Sequence, residues 1–239
     1  MPDISVVTTF HDEGSVAKQS LNALSRCVDM ASAAGLTTEV VAVLDRPSAE
    51  TRRIVKAHDG LRAIQVNNGD LSLSRNDGIS EAKGKLVAIV DGDDYCSSSW
   101  LSESWRAAEE GTVLRHEWVL SFGDRNEFSQ QISQSDDLFC KESLLVFNPF
   151  VSSCIAPREL FLRFPYKAKN QRVTGYGFED WLWLCDTVAA GIRHVVVPGT
   201  AVFYRRKAAG MLARESAERM ILPPTPLFSP ASGQPHKEI

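Results

Sequence analysis

Three carboxylates, Asp91, Asp93 and Asp94, fall within four positions at the end of the apolar run Val87, Ala88, Ile89, Val90. The run is mostly β-branched and reads as a buried strand, so it delivers the three acids together to one end. Carboxylates crowded this closely repel one another, and a fold that needed only stability would not place them there. A divalent cation relieves the repulsion, because Mg²⁺ and Mn²⁺ prefer hard oxygen ligands and leave positions open for substrate phosphates. Strand ends in α/β sheets are also where ligands bind. The stretch therefore implies a metal, Mn²⁺ or Mg²⁺, on Asp93 and Asp94, and a phosphate-bearing substrate.

Three further groups sit where such a sheet puts ligands. Thr8, Thr9, Phe10, His11, Asp12 and Glu13 run off the first strand, Asp45 ends the second, and Arg75 lies on the helix leading into the acid-tipped strand. In a parallel sheet these positions share one edge and can converge on one nucleotide. Asp45 can accept a hydrogen bond from a base N–H. Arg75 offers a forked cation suited to a diphosphate. Each also has a plainer reading: Asp45 as a turn residue before Pro47, Arg75 as the surface partner of Asp77 or Glu81, and Asp91 as a helix cap.

The elements that position these residues follow from hydrophobic periodicity. Strands are expected over residues 4–9, 39–44, 61–66 and 86–90. Helices are expected where Leu21, Leu24, Val28 and Ala31 recur, with Gly35 as the stop, then over residues 48–58, and over 72–82 with Gly84 closing. This alternation implies a parallel sheet with right-handed crossovers. The pattern changes after about residue 110. A strand is expected over 113–122, a polar loop over 123–137, and an apolar but aperiodic stretch over 143–155. A helix over 179–190 ends at Gly191, and two short strands follow at 193–197 and 200–205. Residues 223–239 carry five prolines and read as an extended or disordered tail.

Composition narrows the partners. Acidic residues outnumber basic ones, 30 to 26, which does not favour a nucleic acid. No apolar run approaches the length of a membrane span, and the N-terminus lacks a basic segment followed by an apolar one. The cysteines (Cys27, Cys96, Cys140, Cys154, Cys185) are odd in number, with no Cys-x-x-Cys pair. That argues against a disulfide framework or zinc site and for a reducing cytoplasm. Cys96, near the acids, reads as a packed thiol rather than a nucleophile.

Taken in order over roughly residues 3–206, these motifs resemble the GT-A glycosyltransferases of family 2. Residues 4–13 look like that family's opening strand and nucleotide-binding loop. Residues 43–51 align without gaps to its Asp-Asp-Gly-Ser segment, with Leu44 for the first aspartate and Arg46 for the glycine. The most specific stretch is 73–94, where an arginine-asparagine helix, an alanine-x-glycine stop, a strand and an Asp-x-Asp motif keep family spacing. Far downstream, residues 175–184 (Gly-Tyr-Gly-Phe-Glu-Asp-Trp-Leu-Trp-Leu) resemble the family's Glu-Asp motif. By that resemblance Asp180 is the general base of inverting transfer and Glu179 supports it. Acids at a helix start are also favoured by the dipole alone, and the two readings are compatible. Near the end, Lys207 stands where many relatives have a histidine close to the metal. It either meets the diphosphate directly or belongs to a solvated charge run.

The resemblance implies an α/β fold of GT-A (Rossmann-like) type, a mostly parallel central sheet flanked by helices, with a smaller mixed region on the acceptor side. It divides residues 1–222 of a single domain into a nucleotide-binding half, 1–110, and an acceptor and catalytic-base half, 111–222. The implied activity moves a sugar from a nucleoside-diphosphate sugar, UDP being the commonest in the family, to an acceptor hydroxyl. Donor contacts fall to Thr8, Thr9, Phe10, Asp12, Glu13, Asp45, Arg75, Asp91, Asp93 and Lys207. A carbohydrate or glycolipid acceptor follows, in bacterial-type polysaccharide or glycoconjugate synthesis, with room for peripheral membrane association. Trp118, Phe122, Phe150, Tyr166 and Tyr176 are candidate stacking surfaces for it. The rivals are a non-catalytic nucleotide-sugar-binding module of the same fold and a sugar nucleotidyltransferase. The latter needs a Gly-rich, Arg-bearing loop that residues 8–14 do not supply. A phosphatase with a strand-borne Asp-x-Asp expects Thr or Val where Tyr95 stands, and a phosphate-binding P-loop is missing.

Overall fold

In the computed structural model, which describes residues 1–168, 175–208 and 210–228, the first strand, β1 (Ile4–Phe10), is buried at all seven positions. A strand with no wet face has to be covered on both sides. β1 pairs in parallel with β2 (Thr38–Asp45) and β4 (Leu86–Asp91), and β2 with β3 (Arg62–Val66). The crossovers are α1 (Val16–Ala33), α2 (Ala49–Lys56) and α3 (Leu71–Glu81). Ile4, Val6, Leu24, Cys27 and Ala88 form one side of the core, and Val7, Val43, Ile79, Val87 and Ile89 the other.

Both crossover helices nearest the strand ends are capped where the sequence turns polar. Ser48 accepts from the Thr51 N–H to start α2, and Asp70 accepts from the Leu73 N–H to start α3. α3 then lies against the sheet without a spacer. A Cβ at Gly78 would stand 2.4 Å from Val7 Cγ1 and 2.8 Å from Val43 Cγ2. That close approach carries Arg75, one turn earlier, to the sheet edge.

The second half continues the same sheet. Its order is β3-β2-β1-β4-β8-β6-β9-β5, with β7 paired to β6. Here β5 is Tyr95–Cys96, β6 Thr112–Gly123, β7 Glu127–Gln130, β8 Cys154–Pro157 and β9 Arg193–Arg206. β8 is antiparallel to β4 and β6, β9 is parallel to β6, and β5 is antiparallel to β9. The helices are α4 (Trp100–Ala107), α5 (Arg158–Arg163), α6 (Glu179–Ala189) and α7 (Met211–Ala217). The four parallel strands and the mixed remainder match the expected α/β architecture.

Several local expectations change. The two strands expected at 193–197 and 200–205 are one strand, β9, and a register shift between His116 and Trp118 of β6 accommodates the Pro198–Gly199 step. The loop over 123–137 contains β7, whose four residues are exposed and so leave no alternation to read. The aperiodic stretch 143–155 holds part of a 3₁₀ turn (Lys141–Leu145) and the start of β8. Leu227 and Phe228, read as tail, pack with Leu144, Phe150 and Leu184, while residues 229–239 lie outside the described residues. No described helix is long and apolar enough to cross a membrane.

Because α3 sits directly on Val7 and Val43, a single added methyl should be felt. Gly78→Ala is expected to lower stability by about 1–3 kcal/mol, the usual range for overpacking a close helix–sheet contact. Urea denaturation of the two proteins checks this, and an unchanged midpoint would contradict the packing.

Candidate active site

The carboxyl ends of β1, β2 and β4 lie side by side, and Arg75 joins one of them to the distant half of the chain. Its Nη2 donates to both oxygens of Asp91, at 2.8 and 3.0 Å. Its Nη1 donates to Glu179 at 3.1 Å, across 104 positions of sequence. Arg75 is 1% exposed and the Glu179 side chain 4%, and the Tyr166 ring lies 5.3 Å from the guanidinium. Burial works against the charge on Arg75, but Asp91 and Glu179 outweigh it and hold its pKa above the ordinary arginine value. Burial likewise opposes the Asp91 carboxylate, yet Arg75 and Ser152, whose Oγ donates at 3.0 Å, hold its pKa below the ordinary aspartate value. The guanidinium expected to face a diphosphate is therefore enclosed within the protein. Nor does it take the local partners: Glu81 pairs with Arg62 at 2.7 Å, and Asp77 accepts from Asn68 at 2.7 Å.

The three acids of the turn have three different surroundings. Gly92 N–H donates to Thr9 O at 3.1 Å, and a Cβ on Gly92 would stand 2.5 Å from that oxygen and from Phe10 Cδ1. The turn thus presses on the end of β1. Asp94 points inward at 2% exposure, its carboxyl accepting the Arg205 N–H at 2.7 Å and its backbone oxygen accepting Ser20 Oγ at 2.8 Å. Burial, then Asp93 and Asp91, push its pKa well above the ordinary value and favour the neutral acid. Asp93 is partly exposed, at 15%, with Lys207 Nζ at 2.5 Å and Arg205 Nη1 at 4.0 Å.

This donor set does not fit the metal expected on Asp93 and Asp94. Asp91 is committed to Arg75 and Ser152, Asp94 to a backbone amide, and Asp93 to an ammonium. Among the described residues no three His, Cys, Asp or Glu side chains are grouped to hold an ion. A cation binding Asp93 through Oδ2 would meet the Lys207 ammonium already there.

Glu179 and Asp180 open α6 behind Phe178, whose left-handed φ of 60° turns the chain sharply into the helix. Successive helical side chains diverge by about 100°. Glu179 therefore points inward to Arg75, while Asp180 lies toward Asn148, whose Nδ2 donates to it at 3.1 Å. Asp180 is half-buried on a first helical turn, where the dipole favours its charge.

The remaining expected donor residues divide into framework and cleft. Thr8, Thr9 and Phe10 are buried within β1. Asp12 is exposed, and the Glu13 carboxylate accepts the His11 N–H at 2.6 Å. Burial and then, beyond its own backbone contact, the nearby Asp93 charge act on Glu13, with a net upward shift in pKa. The Asp45 carboxylate accepts the Gly69 N–H at 2.9 and 3.0 Å and Ser74 Oγ at 2.9 Å, fastening β2 to the loop before α3. Arg46 adopts a left-handed φ of 47° and bonds Asn67 at 2.8 Å. Phe150 and Tyr166 are core residues rather than stacking surfaces, at 4% and 3% exposure. Asn148, Ser152 and Arg205 were not singled out. The only signal for the first two is that they interrupt an apolar stretch.

The fourth strand of the α/β sheet is thus acid-tipped, and α6 brings a second acidic pair to the same edge. Residues 5–168 match the family model described as Glycosyl transferase family 2, and the chain belongs to that family. A 69-residue stretch, 29% of the chain, is 36% identical to the "Uncharacterized glycosyltransferase EpsJ" of Bacillus subtilis (strain 168), of which it spans 20%. Among solved structures, S. aureus TarS 1-349 in complex with UDP-GlcNAc superposes with a TM-score of 0.67 at 19% identity, covering 88% of this chain and 60% of that one. Mannosyltransferase PcManGT from Pyrobaculum calidifontis, in complex with GDP-Man and Mn²⁺, gives 0.61 at 15% identity, covering 91% and 61%. At these identities the superpositions establish the GT-A fold.

The inward position of Asp94 yields a test by stability. Asn can keep accepting the Arg205 N–H without a proton. A raised folded value means that the aspartate's contribution is full below the ordinary value of 3.8 and is lost as pH rises through the folded value. Asp94→Asn is therefore expected to melt at or above the wild-type temperature near neutral pH, with a flatter pH profile above the ordinary aspartate range. A large drop in melting temperature would show that the charged form is needed.

Proposed function

We propose that this chain is an inverting glycosyltransferase that moves a sugar from a nucleoside-diphosphate sugar to an acceptor hydroxyl. The observation that carries the reading is the Arg75 bridge. It ties Glu179, the neighbour of Asp180, to Asp91 at the nucleotide edge, so a candidate base is held at a fixed place relative to the donor. Asp180 accepts the proton of the acceptor O–H as its oxygen attacks the anomeric carbon. The bond from that carbon to the diphosphate oxygen breaks, and its electron pair leaves with the nucleoside diphosphate. One displacement of this kind inverts the centre. A rigid helix start suits the base because general-base catalysis depends on position as well as pKa.

In this reading Asp12, Glu13, Asp93 and Lys207 meet the donor, while Thr8, Thr9, Phe10, Asp45, Arg75, Asp91 and Asp94 brace them from within the fold. A UDP-sugar is the first donor to try, supported by the TarS complexes with UDP and UDP-GlcNAc. PcManGT with GDP-Man makes a GDP-sugar the second. The proposed setting is cytoplasmic polysaccharide or glycoconjugate synthesis, with a carbohydrate or glycolipid acceptor and peripheral membrane contact. Five free cysteines suit a reducing compartment.

Asp180→Asn keeps the shape and the Asn148 contact side but removes the base. Turnover of a UDP- or GDP-sugar is expected to fall by roughly 10²–10⁴-fold, with affinity for the free nucleoside diphosphate unchanged. Release of nucleoside diphosphate, followed in a coupled assay beside calorimetric binding, separates the two. Retained turnover would remove Asp180 from the mechanism.

A further inference from the structure

Lys207 is the group whose placement the mechanism leaves unexplained. It follows directly on β9, whose last two residues are fastened on both sides. Arg205 N–H donates to Asp94, and Arg206 O accepts the Asp124 N–H at 3.1 Å. The next residue is thereby carried to the acidic turn. Its Nζ lies 2.5 Å from Asp93 Oδ2, and its side chain is 40% exposed against 15% for Asp93. Lys207 also acts electrostatically on Glu13, Asp91 and Asp94, so one ammonium offsets the field of four carboxylates while pairing directly with Asp93. Of the nearby cations, Arg75 is enclosed and Arg205 stands 4.0 Å from the same carboxylate.

A diphosphate brings negative charge to an edge already crowded with it, so a cation has to be there first. A divalent ion would need open carboxylate oxygens, and at this turn both oxygens of Asp91 are taken by Arg75 and Ser152, Asp94 is buried on a backbone amide, and Asp93 already holds an ammonium at Oδ2. Lysine binds phosphate as a compact point charge with three donors, and it can be shared between Asp93 and phosphate oxygens. We propose that Lys207, positioned by Asp93, takes the place of a divalent cation at the diphosphate, so that this chain binds its nucleoside-diphosphate donor without added metal. The inference rests on the glycosyltransferase reading above and names how its leaving group is held. No bond to Lys207 is made or broken. The ammonium stays protonated and balances the charge that the departing diphosphate acquires.

The test is calorimetric binding of UDP, GDP and dTDP to the full chain, in EDTA and then in Mn²⁺. At least one is expected to bind in EDTA within about threefold of its affinity in Mn²⁺, a difference well under one charge-assisted contact. In EDTA, Lys207→Met is expected to weaken that nucleotide by roughly tenfold or more. Lys207→Arg, which keeps the charge, should retain most of the affinity, an outcome a purely structural role for the side chain would not produce. Circular dichroism checks that both variants fold. Binding that appears only with Mn²⁺, or that Lys207→Met leaves unchanged in EDTA, would overturn the inference while leaving the donor reading intact. Failure of all three nucleotides in both buffers would overturn the donor reading itself, and the inference with it.

Discussion

A buried guanidinium between two carboxylates is the interaction on which the rest of this structure depends. Arg75 comes from the helix laid on β1 and β2, Asp91 from the end of β4, and Glu179 from the first turn of a helix more than a hundred positions later. A charge this deep is tolerated only while both partners are present. Removing one side of a buried pair costs about 3–5 kcal/mol, because the other charge is left uncompensated. The bridge thus sets the distance between the nucleotide edge and Asp180. Its worth to the protein is geometric more than energetic, since well-packed apolar residues could equal it in stability.

The acidic turn is organised by the same economy of charge. Three carboxylates within four positions would be untenable if all were ionised and unpaired. Each is resolved differently. Asp91 is neutralised by Arg75, Asp94 is turned inward where the neutral acid is favoured, and Asp93 is matched by Lys207. Only the last pair includes an exposed cation, Lys207 at 40% against 1% for Arg75, so it is the part of the turn best placed to meet an anionic substrate. Gly92 makes the arrangement compact, because any side chain there would strike β1.

Much of the first half was legible from the sequence. β1, β2 and β4 are β-branched runs, the helices between them carry caps and stops, and the parallel order follows from their alternation. The convergence of Asp91, Asp93 and Asp94 was legible for the same reason, since all three end one strand. The bridge was not. Local reasoning offers Arg75 the near partners Asp77 and Glu81, whereas Glu179 is brought in by β8, β6 and β9, whose pairing no short-range pattern encodes. Asp45 shows the complementary gap: residue type suggests a ligand for a base and gives no sign that Gly69 and Ser74 also make it a fastening of the loop. Asn148 and Ser152 lie in a stretch with neither helical nor strand period, so their approach to Asp180 and Asp91 appears only in three dimensions.

The central claim, that Arg75 and Glu179 act as one unit joining the two halves, is tested most directly by a double-mutant cycle. Unfolding free energies would be measured by urea denaturation for wild type, Arg75→Met, Glu179→Leu and the double variant. The expected result is a coupling of about 1–3 kcal/mol, the double variant being less destabilised than the sum of the singles because Glu179 is not left stranded, while Asp91 loses Arg75 equally in Arg75→Met and in the double variant. Losses that simply add would contradict the claim.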